Sequence, residues 1–397
     1  MKHEIIYERG ELFDVNMIII FRIDLMGIPS ESEVKAAFDK AVHTNEILMS
    51  RIVIEETGRA FYVDNESPFS SVTFTEEDLD LVREREEKIR FKVEEGEYIR
   101  AFVKQNKEDT SILFLMHHIA GDGMSLQYFV GDFMTCLSGK EAGFKKIRTA
   151  ETKENLDAIS KCIIRYYNKK WNNKVFSFED MDKAYEAYWK NHKTVISTEV
   201  TEKEKMSKIL EKCHEAGVKY TAYLTSELIK NEKSPMDIGY AMDYRLDGNR
   251  SMGNQASGFS VRYKYDPSKS VMENARTIQR KIDKKVKEHK KGSYILSFVA
   301  GFRPTLNDAV DLEHAGTYHD KVSYSLAKLM GYVGKTKDYS ITNLTSTVIP
   351  LKYDKYEITG MMFTGPVVSY GQKIISVLTC NGKTVITTHE RVSIPTE

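Results

Sequence analysis

Short apolar runs bounded by polar turns alternate along this chain with stretches whose apolar positions recur every three or four residues. That mixture predicts strands interleaved with helices. Val15 to Phe21 reads as a first buried strand, stopped by Arg22. Ser30 then caps a predicted helix, with Glu31 and Glu33 in its first turn and Val34, Phe38 and Val42 as its apolar stripe. Arg51–Glu55 and Ala60–Val63 read as strands around the turn Glu56-Thr57-Gly58, and Glu76–Phe91 as a charged helix. Tyr98–Val103 and Ser111–Met116 follow as two strands around a hydrophilic turn. A helix begins near Ser125 with Leu126, Phe129, Val130, Phe133, Met134 and Leu137 on its buried side.

Between about Gly139 and Val195 the alternation fades, and this stretch reads as the connection between two halves. Lys161–Tyr167 and Tyr185–Trp189 within it are candidates for helix or lid. The second half opens with a strand at Val195–Thr198. Thr201 to Glu204 has the pattern of a capping box ahead of Met206, Ile209, Leu210 and Cys213, and Gly217 ends that helix. Thr221–Ile229 predicts a second helix, Asp237–Met242 a strand and Val271–Lys291 a long basic amphipathic helix. Strands are expected at Val348–Leu351, Gln372–Thr379 and Thr384–Thr387. The expected architecture is therefore α/β with mixed sheets, in two lobes (1–175 and 190–397) with a cleft between them.

Composition narrows the function classes. Lys plus Arg equals Asp plus Glu at 58 each, so no basic excess points to nucleic acid. Met17–Phe21 is far short of a membrane span. His3, Glu4 and Glu8-Arg9 interrupt the start of the chain, so no secretory segment is expected there. The four dispersed cysteines form no CxxC pair and fit a reducing, cytoplasmic setting. The basic helix reads as a solvated face, with a phosphate-binding surface as the alternative.

The candidate chemistry lies in His117-His118-Ile119-Ala120-Gly121-Asp122-Gly123, where a core strand breaks open before a helix. Imidazole exchanges protons near neutrality. Adjacent positions on a strand point opposite ways, so one histidine faces the cleft and the other the interior. His118, nearer the loop, is the favoured general base. Asp122 could orient that ring or hold the loop through an arginine, while Gly121 and Gly123 permit close approach. His118 and Asp122 could also bind a cation, but no third ligand has suitable spacing and no metal is expected.

These residues match the HHxxxDG signature in full, and on them the chain resembles the CoA-dependent acyltransferase superfamily. That group includes chloramphenicol acetyltransferase, alcohol acetyltransferases, polyketide-associated acyltransferases and nonribosomal condensation domains. Weaker similarities keep the family's order. They are Ala36–Leu48, Phe91–Arg100, Met242-Asp243-Tyr244-Arg245 with Gly253-Asn254, and Ser340–Leu344. The plant-type DFGWG element is absent, which argues against that branch.

The resemblance implies a two-lobed chloramphenicol acetyltransferase-like fold with an active-site channel between the lobes. It implies transfer of an acyl group from acyl-CoA, a co-substrate rather than a resident cofactor, to a small alcohol or amine, with no acyl-enzyme. His118 would be the base, His117, Asp122 and Gly123 would complete the motif, and Arg245 would pair with Asp122. Thr342, Asn343 and Thr345 are candidates for lining the channel or binding the oxyanion. The alternatives are a condensation-type enzyme drawing on an acyl carrier protein, or a silent binding protein that keeps the fold.

Overall fold

The computed structural model describes residues 1–245, 249–333 and 337–394. The first long strand runs Ile18–Met26, five residues past the expected stop. Its start is buried on both faces; from Arg22 onward it alternates, with Ile23 and Leu25 inward and Arg22 and Asp24 outward. Arg22 does not end the strand because its guanidinium donates to Asp24 Oδ1 (3.1 Å) and Ser111 Oγ (3.2 Å) across the outer face.

Ile18–Met26 pairs antiparallel with Asp109–His117, placing Ile18 opposite His117. The sheet order is Lys352–Tyr353, Tyr356–Thr364, Ile18–Met26, Asp109–His117, Ile99–Gln105 and Ser71–Phe74. A second six-stranded sheet runs Ala256–Tyr263, Met236–Asp243, Tyr339–Ser346, Lys373–Cys380, Lys383–Ser393 and His192–Thr201. Tyr339–Ser346 is parallel to both its neighbours there. A three-stranded sheet joins Lys2–Glu4, Ala60–Asp64 and Ser50–Ile54. The fold is thus mixed α/β. One core gathers Ile20, Phe114, Phe129 and Phe133 around the first large sheet, and another gathers Ile238, Val261, Ile278 and Ile341 on the second.

Ser30 caps the helix Glu31–His43 as its sequence predicts, with Ser30 Oγ accepting from Glu33 N–H at 3.2 Å and Glu33 Oε2 accepting from Ser30 N–H at 2.7 Å. The box at Thr201–Glu204 does not form. Thr201 stays in the strand ladder opposite Thr384, and Glu202 stands at the N-terminus of the helix Lys203–Glu215 without a side-chain cap. The connecting stretch is helical at Ala158–Lys170 and Phe178–Asn191. Val348–Leu351 is no strand; Val348 N–H donates to Gln127 Oε1 instead of to a ladder.

The strand Tyr356–Thr364 comes from the second half yet pairs in register with Ile18–Met26, Phe363 opposite Phe21. It carries Phe363 onto the N-terminus of the helix Gly123–Leu137, where a Cβ on Gly123 would lie 2.6 Å from that ring. Gly123 is therefore fixed by close approach rather than by backbone angle.

Candidate active site

The two histidines divide as strand geometry requires. His117 ends the strand Asp109–His117 and is fully buried, its ring edge-on to Phe91 at 6.2 Å. Its Nδ1 accepts from Ile119 N–H at 3.2 Å. Burial, reinforced by His118 and Arg90, pushes its pKa down to about 3, so it is a neutral packing residue at physiological pH.

His118 opens a single 3-10 turn, His118–Ala120. Its backbone N–H donates to Met17 O at 2.7 Å, and its own carbonyl accepts from Gly121 N–H at 2.9 Å. The side chain is 15% exposed and lines a cavity of about 180 Å³ between the two large sheets. Nδ1 stands 3.4 Å from Glu11 Oε2, an ion-pair distance at which neither atom completes a hydrogen bond. With Nδ1 turned to Glu11, Nε2 is the nitrogen left to take a proton. Burial alone would lower this imidazole's pKa, but the carboxylate of Glu11, with Asp122 behind it, overrides that and holds it above the ordinary value.

Glu11 is held in turn. Its Oε1 accepts from Asn254 Nδ2, and it ends a short turn, Arg9–Glu11, anchored by a buried ion pair. Arg9 meets Asp308 with both arms of its guanidinium, at 2.7 and 2.5 Å, and neither side chain is more than 1% exposed. Glu8, on the same segment, is buried, and desolvation pushes its carboxyl up to about 8.

Asp122 does not face the imidazole as a relay. It caps the helix Gly123–Leu137, Oδ1 accepting from Ser125 N–H at 3.0 Å, and its Oδ2 accepts from Gln255 N–H (2.9 Å) and Arg245 Nη1 (2.7 Å). Burial opposes its charge; Arg245 and these donors more than compensate and hold the carboxyl below its usual range. Arg245 also donates to Asp243 Oδ1 (3.0 Å) and Ser125 Oγ (2.6 Å). Ser125 Oγ donates to Gly253 O at 3.1 Å, and Gly253 N–H to Ala120 O at 3.0 Å. Gly253 has φ +118°, and a Cβ there would strike the carbonyl of Arg148. The histidine loop is thereby laced to Arg245, Gly253 and Gln255 of the other half.

The oxyanion candidates separate. Ser340 and Thr342 line the cavity with His118. Asn343, one position on, points to the opposite side and donates to Thr221 Oγ1 at 3.0 Å. Thr345 sits at φ +60° past a register shift, its hydroxyl donating to Leu344 O at 2.6 Å. Asn343 and Thr345 are not among the residues that line this cavity. Sequence reasoning missed Glu11, Ser340 and Phe363. Asn254 and Ser340 lay inside the quoted motifs; Glu11 lies in a short turn with no periodicity to mark it. Among the described residues no three His, Cys, Asp or Glu side chains converge as a metal site. No helix among them is long and apolar enough to cross a membrane.

No family model matches the sequence, and no curated relative matches it. Solved structures match over nearly the full length. The first condensation domain of the CDA synthetase superposes with a TM-score of 0.65 at 11% identity, covering 98% of this chain and 90% of that one. The TRI3 trichothecene 15-O-acetyltransferase from Fusarium sporotrichioides gives 0.64 at 12% identity, over 98% and 90%. Polyketide synthase associated protein 5 from Mycobacterium tuberculosis gives 0.63 at 12%, over 98% and 94%. This chain therefore has the two-lobed chloramphenicol acetyltransferase-like fold that condensation domains and these proteins share. At such identities the likeness establishes the fold, and the chemistry rests on the site.

Proposed function

We propose that this protein is an acyltransferase that moves an acyl group from a CoA thioester to a hydroxyl or amine acceptor. The observation that carries it is His118: an imidazole at the wall of the interlobe cavity, Nδ1 occupied by a carboxylate and Nε2 free. Nε2 takes the acceptor's proton as its oxygen or nitrogen attacks the thioester carbonyl. The tetrahedral oxyanion is met by hydroxyls on the same wall, with Thr342 and Ser340 the side chains available. The C–S bond then breaks, and the imidazolium returns the proton to the departing thiolate, so no acyl-enzyme forms. Glu11 stabilises the imidazolium between these steps. The lobes hold both reactants together and make the encounter effectively intramolecular.

The donor's polar end has a route. A depression beside His118 and Ser257 shares Gly258 and Phe259 with a second that reaches Lys285 and Lys291, and Lys291 also borders a third lined by Arg280, Lys284 and Lys287. Asp283 and Glu288 stand among these cations, so the end is cationic on balance. That surface suits the phosphates of CoA.

His118→Ala tests the reading. With acetyl- and longer acyl-CoA against pools of alcohols and amines, the native protein releases free thiol and the variant does not, while its thermal unfolding is unchanged. Turnover retained in the variant would remove His118 from the role of base. Thiol release only from carrier-bound thioesters would select the condensation-type reading. Ligand binding without turnover by the native protein would select a silent binding protein.

A further inference from the structure

Beside the catalytic cavity lies a larger one of about 540 Å³, against about 180 Å³. The two share four wall residues, Ser340, Val368, Gly371 and Lys373, and so lie directly against one another. Away from these shared residues one side of the wall is apolar, while Asp237, Ser260, Lys337 and Gln372 put polar groups on the other. Phe298 and Val299 come from the helix Tyr294–Ala300, and Leu329 and Met330 from the end of the helix Lys321–Met330. Ile295 and Leu329 at its rim are 37% and 52% exposed, so apolar side chains border its mouth. Its size is that of a site for a drug-sized ligand.

The proposed chemistry fixes what this space can receive. The thioester carbon must sit at His118, and the depressions past Ser257 lead the pantetheine arm toward the cationic helix. The catalytic cavity itself holds little beyond the reacting atoms. An acyl substituent longer than acetyl needs a second exit from that point, and the larger cavity, separated from it only by the shared residues such as Ser340 and Val368, is the adjoining space. Resting on the acyltransferase reading above, we propose that this cavity binds the acyl chain, making the protein selective for medium and long acyl donors over acetyl. An apolar chain in a pocket gains with each methylene buried, whereas acetyl leaves the cavity to water.

The test measures kcat/KM for acetyl-, octanoyl- and palmitoyl-CoA with one acceptor, and binding of the same thioesters by calorimetry. Octanoyl-CoA is expected to exceed acetyl-CoA by at least about tenfold in both. Val299→Trp, which fills the cavity away from His118, is expected to bring that ratio toward one. Phe298→Ala, which enlarges the cavity, is expected to move the preference toward palmitoyl. Equal rates and affinities for all three donors, or ratios untouched in both variants, would overturn the proposal. So would chain-length selection that follows the acceptor instead. The two readings fail separately. Thiol release without length preference leaves acyl transfer standing and removes the chain pocket. Length-dependent binding, lost in Val299→Trp, with no thiol release keeps the pocket and removes acyl transfer.

Discussion

Replacing Arg245 by methionine removes the guanidinium that laces the histidine loop to the other half while keeping most of the apolar stem. Arg245 and Asp122 are 4% and 5% exposed, with a 2.7 Å contact. Breaking such a buried pair from one side costs about 3–5 kcal/mol, because the partner charge is left behind. Asp122 keeps two backbone donors, Ser125 and Gln255 N–H, which places the cost at the lower end. At about 2.1 cal/mol/K per residue, the unfolding entropy of the 397-residue chain is about 0.8 kcal/mol/K, so 3 kcal/mol lowers Tm by about 4 °C. Asp122→Asn fails differently. Both carboxylate oxygens accept backbone N–H groups, so the amide must turn its NH2 toward a donor. The double variant is expected to be less unstable than the two single losses summed, since neither partner is left charged and alone.

The pH dependence checks the same account. Asp122's carboxyl is held below its usual range in the fold, so its stabilisation is complete above the unfolded carboxylate range and fades as pH falls through the folded value. The Tm gap between the native protein and Arg245→Met is thus widest near neutrality and narrows in acid. Calorimetric scans between neutral and acid pH, paired with kcat at neutrality, read both effects. A variant melting within a degree of the native protein at pH 7, with kcat intact, would show that this ion pair does not hold the loop.

Glu11→Gln removes the carboxylate beside His118 while keeping its shape. The imidazole's raised pKa is expected to fall, shifting the acid limb of the kcat/KM profile to lower pH, and the plateau to drop about tenfold, a modest share of what general-base catalysis contributes. An unmoved limb would assign Glu11 a merely structural part, since Asp122 and His117 remain near the ring. Thr342→Val is expected to lower kcat about a hundredfold if its hydroxyl meets the oxyanion, while Asn343→Ala, on the opposite side of the strand, leaves kcat near native. Equal effects in steady-state assays would contradict the side assignment. Gly123→Ala places a methyl 2.6 Å from the Phe363 ring and is expected to cost about 1–3 kcal/mol, measured by denaturant unfolding. Phe363→Leu in the same chain is expected to restore much of it.

The sequence displays the motif strand and its helix because their signals are local: the apolar run before His117, the aspartate at the cap and the stripe after Ser125 are all set by neighbours along the chain. It also shows that His117 and His118 must diverge, since the two-residue period of a strand is a backbone property. Glu11 follows no such rule. What places it beside His118 is the Arg9–Asp308 pair, whose partners are 299 residues apart, and Asn254, 243 residues away. The same holds for Tyr356–Thr364. Its alternation is interrupted by the bulge at Ile358/Gly360, and besides the short neighbouring strand Lys352–Tyr353 it pairs with the first long strand, distant in sequence. Yet this strand delivers Phe363 to Gly123 and leads into the loop bearing Val368, which lines both cavities. On the proposed reading, the parts that would choose the substrate are assembled from long-range pairings, whereas the residue proposed as base is written in seven consecutive residues.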